Sequence, residues 1–126
     1  MREIKFRLIN NGQIVGYERW NSLAGKWCYD DKLSGSFYIM NAFIPHTDKE
    51  QYTGLKDKNG REDIYADDVV LTPNGRVWQV GWNDFYVAWV LWSLKDTTHF
   101  ISLPIEDGKL HAFKQGNIHE NLELLK

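Results

Sequence analysis

Hydrophobic and polar positions alternate along short segments of this chain, and most of those segments end at a turn signal. Residues 4–8 alternate apolar and basic side chains, a period of two that is typical of a half-buried strand. Residues 10–12, Asn-Asn-Gly, form a turn signal, and residues 13–20 are predicted to return as a second strand. Residues 26–29 and 36–39 are short and rich in aromatic side chains, which favours two further strands.

The same pattern continues through the second half of the chain. Residues 57–60, Asp-Lys-Asn-Gly, are a strong turn signal, because Asn and Gly tolerate positive φ. Residues 69–71 are predicted to form a buried strand, followed by a turn at residues 72–75. The clearest predicted hairpin joins residues 77–82 to residues 85–92, with Asn83 and Asp84 at its tip.

The C-terminal part of the chain gives weaker signals. Residues 100–103 are predicted to form an edge strand that ends at Pro104, because proline lacks the N–H that a strand ladder needs. Apolar residues recur at Ile118, Leu122 and Leu125, a spacing that favours a short helical turn packed on the sheet.

Many short strands separated by turn signals predict a mainly β fold, all-β or dominated by a small barrel. The length of 126 residues favours a single domain over residues 1–126. A polar, turn-like stretch at residues 45–49 suggests a subdivision into an N-terminal β part, residues 1–48, and a barrel, residues 49–126.

Composition narrows the functional classes. Lys and Arg number 15 against 17 Asp and Glu, and a net charge of −2 removes the simplest argument for nucleic-acid binding. One cysteine among 126 residues allows no internal disulfide, which fits a reducing compartment. No apolar run approaches the roughly 20 residues of a membrane helix, and the N-terminus lacks a long apolar segment. A cytosolic protein is therefore expected.

The most specific motif is QYTGLKDKNG at residues 51–60, followed by IYADDVV at residues 64–70. Together with the opening MREIKFR, residues 1–7, and the closing segment at residues 116–125, it resembles the YopX family of small proteins encoded by bacteriophages and prophages. The resemblance implies a small β-barrel of the Src-homology-3-like type with additional N-terminal β structure, in the cytosol of a bacterial host. The family has no established biochemical activity, so the resemblance implies no reaction.

One departure from the family pattern concerns the backbone. Family members usually carry Glu-Gly-Asp after the signature tyrosine, whereas this chain has Ala66, Asp67 and Asp68. Whether the backbone still requires positive φ at the lost glycine is left open. Asp68 is predicted to accept backbone N–H bonds and fix the turn before the strand. The residues taken as the structural signature are Gly54, Asn59, Gly60 and Asp68.

Candidate catalytic chemistry is sparse. Cys28 lies in an aromatic strand pattern and is predicted to be a buried small hydrophobe rather than a nucleophile. The acidic pairs at residues 62–63 and 67–68 could hold Mg²⁺ or serve in acid–base catalysis, and turn capping is the alternative. The four histidines are scattered without metal-ligand spacing. No catalytic residue, metal site or cofactor is therefore predicted.

Cations and aromatic residues around the signature suggest a binding surface. A basic rim with aromatic platforms is how small β-barrels hold single-stranded nucleic acid. The same residues also suit ordinary turn cations and core aromatics. The candidate residues are Tyr52, Lys56, Lys58, Arg61, Tyr65, Arg76 and Trp78.

A second dense aromatic stretch covers residues 82–92. A strand starting at Phe85 would carry apolar side chains on both faces, as in a central core strand or one covered by a partner. The leading hypothesis is a non-enzymatic phage accessory protein that binds an unknown host or phage protein and forms a homo-oligomer. The alternative is a nucleic-acid-binding barrel in phage replication or regulation. An enzyme using the acidic pairs is the third hypothesis.

Overall fold

A computed structural model describes residues 3–31, 37–38, 41–96 and 98–119, and these residues form a mainly β protein. The contacts of the chain divide it into two compact units, Met1–Tyr52 and Thr53–Lys126. In the described ranges there is no helix long and apolar enough to cross a membrane.

The first unit is an antiparallel sheet in the order β3-β2-β1-β4. Its strands are β1 (Lys5–Asn10), β2 (Gln13–Asn21), β3 (Lys26–Asp30) and the first part of β4 (Asp48–Lys56). Asn11 and Gly12 connect β1 to β2 with φ of 53° and 78°, the two positive values that a tight type I′ hairpin turn needs. The predicted first hairpin is therefore confirmed.

One face of this sheet carries a buried ion pair. Arg7 on β1 is 2% exposed and Glu50 on β4 is 5% exposed, and Arg7 Nη2 lies 2.6 Å from Glu50 Oε1. Tyr17 pairs with Arg7 across the β1–β2 ladder and is also buried. Cys28 is 1% exposed, so the prediction of a buried cysteine is confirmed.

The second unit begins within β4, whose end lies beside the short strand β5. Its main sheet is antiparallel and has the order β12-β6-β7-β8-β9. The strands of this unit are β5 (Asp63–Tyr65), β6 (Asp68–Leu71), β7 (Val77–Asn83), β8 (Ala88–Ser93), β9 (Phe100–Ser102), β10 (Ile105–Glu106), β11 (Lys109–Leu110) and β12 (Phe113–Asn117).

The core of the second unit lies on one face of this sheet. Val70 pairs with Trp78, and Val80 pairs with Leu91, so these four side chains point to the same side. Leu110 joins them and is fully buried. The signature residues 51–60 and 64–70 thus form the strand, turn and strand that the sequence predicts, and they lead directly into this core.

Three predictions about architecture need correction or fall outside the described residues. Within the described ranges the main sheet does not close into a barrel, because β12 and β9 remain its edges. The predicted edge strand itself is present as β9, which ends at Ser102, before Pro104. Ile118 and His119 form a turn, and the rest of the predicted helical turn lies outside the described residues. Of the predicted strand at residues 36–39, only residues 37–38 are described, and they form no strand.

The predicted β7–β8 hairpin exists, but its turn is longer than predicted. Asn83 pairs with Ala88, so the connection consists of residues 84–87, and the prediction that a strand begins at Phe85 is wrong. Sequence reasoning also missed β10, β11 and β12. Asp107 and Gly108 link β10 to β11 with φ of 55° and 75°, and the Asp-Gly pair is a hairpin signal visible in the sequence.

Candidate functional site

The turn between β5 and β6, residues 66–67, is built around a fully buried carboxylate, and we call it the signature turn. Asp68 is 0% exposed, and its Oδ2 accepts a hydrogen bond of 2.8 Å from the Tyr65 backbone N–H. Lys114 Nζ on β12 lies 3.2 Å from the same oxygen, so the buried charge has a cationic partner. The prediction that Asp68 accepts a backbone N–H bond at this turn is confirmed.

Asp67 stands where the family pattern carries glycine, and it keeps the backbone conformation that glycine would favour. Its φ is 67°, in the left-handed region that Asp enters more readily than most residues. Its N–H donates to the Val80 carbonyl at 2.8 Å. Its Oδ1 accepts a bond of 2.9 Å from Gln79 Nε2. The turn therefore still requires positive φ, and bonds to β7 hold it there.

The aromatic members of the predicted binding surface lie in the interior. Tyr52, Tyr65 and Trp78 are 7%, 1% and 3% exposed, respectively. Trp78 Nε1 also donates a 3.1 Å hydrogen bond to Thr72 Oγ1. Buried rings have no free face for a nucleotide base, so in this conformation these three residues act as core aromatics.

The basic members remain at the surface but are not equally available. Lys56 Nζ lies 2.8 Å from Asp63 Oδ1, which neutralises both charges locally. Lys58 Nζ lies 5.6 Å from the centroid of the Phe113 ring, a weak cation–π contact. The remaining cations of the predicted surface are exposed: Arg61 and Arg76.

Three of the four carboxylates proposed for metal or acid–base chemistry make local contacts. Asp63 pairs with Lys56, Asp67 accepts from Gln79, and Asp68 holds the signature turn. Turn capping, the alternative reading of these carboxylates, accounts for the observed bonds of Asp68.

Among the described residues of the second unit, the tip of the β7–β8 hairpin, residues 84–87, is the most exposed apolar segment. Phe85, Tyr86 and Val87 are 85%, 63% and 70% exposed. Contact of three consecutive large apolar side chains with water is unfavourable in free energy, and a binding partner that covers them would remove that contact. We call residues 84–87 the hairpin tip.

A row of aromatic rings continues from the hairpin tip across the sheet. The ring centroids of Phe85 and Tyr86 are 5.0 Å apart, those of Tyr86 and Phe100 are 5.7 Å apart, and those of Phe100 and Trp92 are 4.9 Å apart. The Trp92 indole lies over Gly81, where an added Cβ would come within 2.8 Å of it. Gly81 therefore provides the space that the Trp92 indole occupies.

Local bonds fix the shape of the hairpin tip. Asn83 is 8% exposed, and its Oδ1 accepts a 2.9 Å bond from the Tyr86 N–H, the Asx-type contact that stabilises turns. Val87 has a φ of 53°, which is an outlier for a β-branched residue. Sequence reasoning found the aromatic residues and placed a turn at Asn83 and Asp84, but it did not predict that the turn extends to Val87.

Comparison with known proteins agrees with the resemblance of the signature. No curated protein matches this chain in sequence. The model of the YopX protein family matches residues 17–126 and so covers the signature turn, β7, β8 and the hairpin tip. With most of its length matched, the chain belongs to the YopX family.

Proposed function

We propose that this protein is a non-enzymatic accessory protein of phage type that binds a protein partner through the hairpin tip and the aromatic row beside it. The observation that carries the proposal is the exposure of Phe85, Tyr86 and Val87. Large aromatic side chains dominate the energetics of protein interfaces, because each buries much apolar surface at little cost in side-chain entropy.

The preformed shape of the hairpin tip supports the same function. Binding is weakened by the ordering of flexible loops, so a tip already held by Asn83 loses less on association. Backbone strain such as that at Val87 clusters at functional sites, where the surrounding structure maintains it. The partner that fits is a protein with an apolar pocket, either a host or phage protein or a second copy of this chain.

Affinity capture from phage-infected or prophage-induced cells tests the proposal. The tagged protein is compared with the double variant Phe85→Ser/Tyr86→Ser, with nuclease and high salt in the wash. We expect a stoichiometric protein on the wild type and its loss from the variant, because an apolar interface is insensitive to salt. An untagged copy of the chain among the captured proteins would identify a homo-oligomer.

The matched control is Leu23→Ser, which removes a side chain that is 99% exposed on a turn of the first unit. It should capture the same partner as the wild type. Equal capture by all three proteins would overturn the assignment of the interface to the hairpin tip. All variants should unfold at similar urea concentrations, since the changed side chains are exposed.

A nucleic-acid-binding function is the second candidate, and one feature favours it. Lys58 and Arg61 are exposed on the turn after β4, and the Lys109 side chain lies against the same turn, 3.5 Å from where a Cβ would stand at Gly60. Phosphate-driven binding weakens steeply with salt. Capture of nucleic acid that is lost in Lys58→Ala/Arg61→Ala and in high salt would favour this function over the protein-binding one.

A further inference from the structure

A shallow aromatic cleft lies on the face of the first unit opposite to the Arg7–Glu50 ion pair. It encloses about 450 Å³. The indoles of Trp20 and Trp27 meet edge to face with centroids 5.2 Å apart, and the Phe6 ring lies 5.9 Å from that of Trp27. We call this the aromatic cleft, lined by Ile4, Phe6, Trp20, Trp27 and Lys49.

A cation of the chain itself already occupies one side of the aromatic cleft. Lys49 Nζ lies 4.4 Å from the centroid of Phe6 and 5.4 Å from that of Trp27. Both distances are within the range in which ring faces attract cations. The Lys49 side chain is 42% exposed, so its flexible stem has solvent beside it into which the ammonium can move when another cation takes its place.

The charge that holds Lys49 is a buried carboxylate on the same face of the sheet as the rings. Glu18 is 4% exposed, and its Oε1 lies 3.1 Å from Lys49 Nζ. Its Oε2 accepts a 2.8 Å bond from the Tyr29 hydroxyl. Burial, together with this bond to Glu18, raises the pKa of Tyr29 to about 12, so Tyr29 keeps its proton and remains the donor near neutral pH.

The geometry points to the aromatic cleft as a binding site for an arginine side chain of a protein partner, which displaces Lys49 from Glu18. A guanidinium stacks on indole faces and pairs with a carboxylate through two parallel N–H bonds, whereas an ammonium makes neither contact as well. Arginine therefore suits both the rings and the carboxylate that Lys49 now contacts. The aromatic cleft belongs to the first unit and the hairpin tip to the second, so failure of the hairpin proposal would leave this one unaffected.

The direct test measures binding of three capped tripeptides that carry Arg, Lys or citrulline between two glycines. Binding is followed by the indole N–H signals of Trp20 and Trp27 in NMR titrations. We expect millimolar affinity for the arginine peptide, the order that one cation–π contact and one charge-assisted pair supply. The citrulline peptide has the same shape without the charge, and it should not bind.

Replacing Lys49 tests whether this lysine competes with the arginine peptide for the aromatic cleft or helps to bind it. Lys49→Ala removes the competing cation, so the arginine peptide should bind about fivefold more tightly. Lys26→Ala, an exposed lysine on β3 outside the aromatic cleft, is the matched control and should bind as the wild type does. Unchanged or weaker binding by Lys49→Ala would overturn the proposal.

Glu18→Gln tests the buried carboxylate, since the amide oxygen can still accept from Tyr29 while the charge is lost. Binding of the arginine peptide should then disappear. If this variant fails to fold, the Lys49→Ala comparison still decides the question. Equal binding of the arginine and citrulline peptides to the wild type would show a site for apolar ligands and contradict the inference.

Discussion

The signature turn and the hairpin tip both hold a non-glycine residue at positive φ, but they maintain it in opposite ways. At the signature turn, Asp67 at 67° is tied to β7 by its N–H and its carboxylate, beside the buried Asp68. At the hairpin tip, Val87 at 53° is 70% exposed and has no polar side chain with which to compensate.

The difference separates residues that build the fold from residues that present a surface. In the signature turn, hydrogen bonds and an ion pair over-determine the backbone. In the hairpin tip, the strain is tolerated at the surface, where it is most often associated with function. The recognisable motif and the proposed interface are therefore different parts of the second unit.

The sharpest test of this difference removes the buried carboxylate. Asp68→Ala leaves the Tyr65 N–H and the Lys114 ammonium without this acceptor, and it should lower the free energy of unfolding by about 3 kcal/mol. Urea unfolding followed by circular dichroism measures the change. The control is Asp84→Ala, an exposed carboxylate at the hairpin tip, which should change stability by less than about 0.5 kcal/mol. Similar losses in both variants would contradict the distinction.

A smaller loss of stability is expected when the hydrogen bond between Asn83 and the Tyr86 N–H, which holds the hairpin tip, is removed. Asn83→Ala removes the acceptor of the Tyr86 N–H, and it should lower the free energy of unfolding by about 1 kcal/mol. Partner capture should weaken as well, because the tip loses its preformed shape. Unchanged stability together with unchanged capture would mean that the tip is held by something other than Asn83.

The smallest changes in the free energy of unfolding are expected when each of the two positive-φ residues is replaced by glycine, and the two changes should be of opposite sign. Val87→Gly relieves the strain of a β-branched residue and should raise the free energy of unfolding by about 0.5 kcal/mol. Asp67→Gly relieves less strain and loses the bond from Gln79, so it should lower that free energy by about 0.5 kcal/mol. Paired urea titrations of the two variants measure both changes. Changes of the same sign would show that the two turns are maintained alike.

The sequence predicted the parts of the fold that depend on local chemistry. The Asn11–Gly12 turn, the turn at residues 57–60 and the capping by Asp68 follow from residues that favour those conformations by themselves. The turn of the β7–β8 hairpin was predicted wrongly because Phe85 continues the apolar pattern of a strand. Only the register, in which Asn83 faces Ala88, shows where the strand begins.

The candidate site was predicted less well than the fold, because the sequence does not show which aromatic side chains are buried. Tyr52, Tyr65 and Trp78 are buried, whereas Phe85 and Tyr86 are exposed, although all are aromatic residues in or beside strands. Aromatic side chains suit both a core and an interface, so their type does not tell which role each has. The aromatic cleft was not predicted because Phe6, Trp20 and Trp27 lie on three different strands. They come close together only through the pairing of those strands, which the sequence does not show.

The buried cysteine of β3 gives the first unit a chemical label of its own. The chain has one cysteine, and Cys28 is 1% exposed on a strand at the edge of the sheet. A thiol-specific reagent can therefore react only when β3 separates from its surroundings, and the rate of modification under native conditions measures the free energy of that opening. The second unit has no cysteine, so the measured modification reports on the opening of the first unit alone.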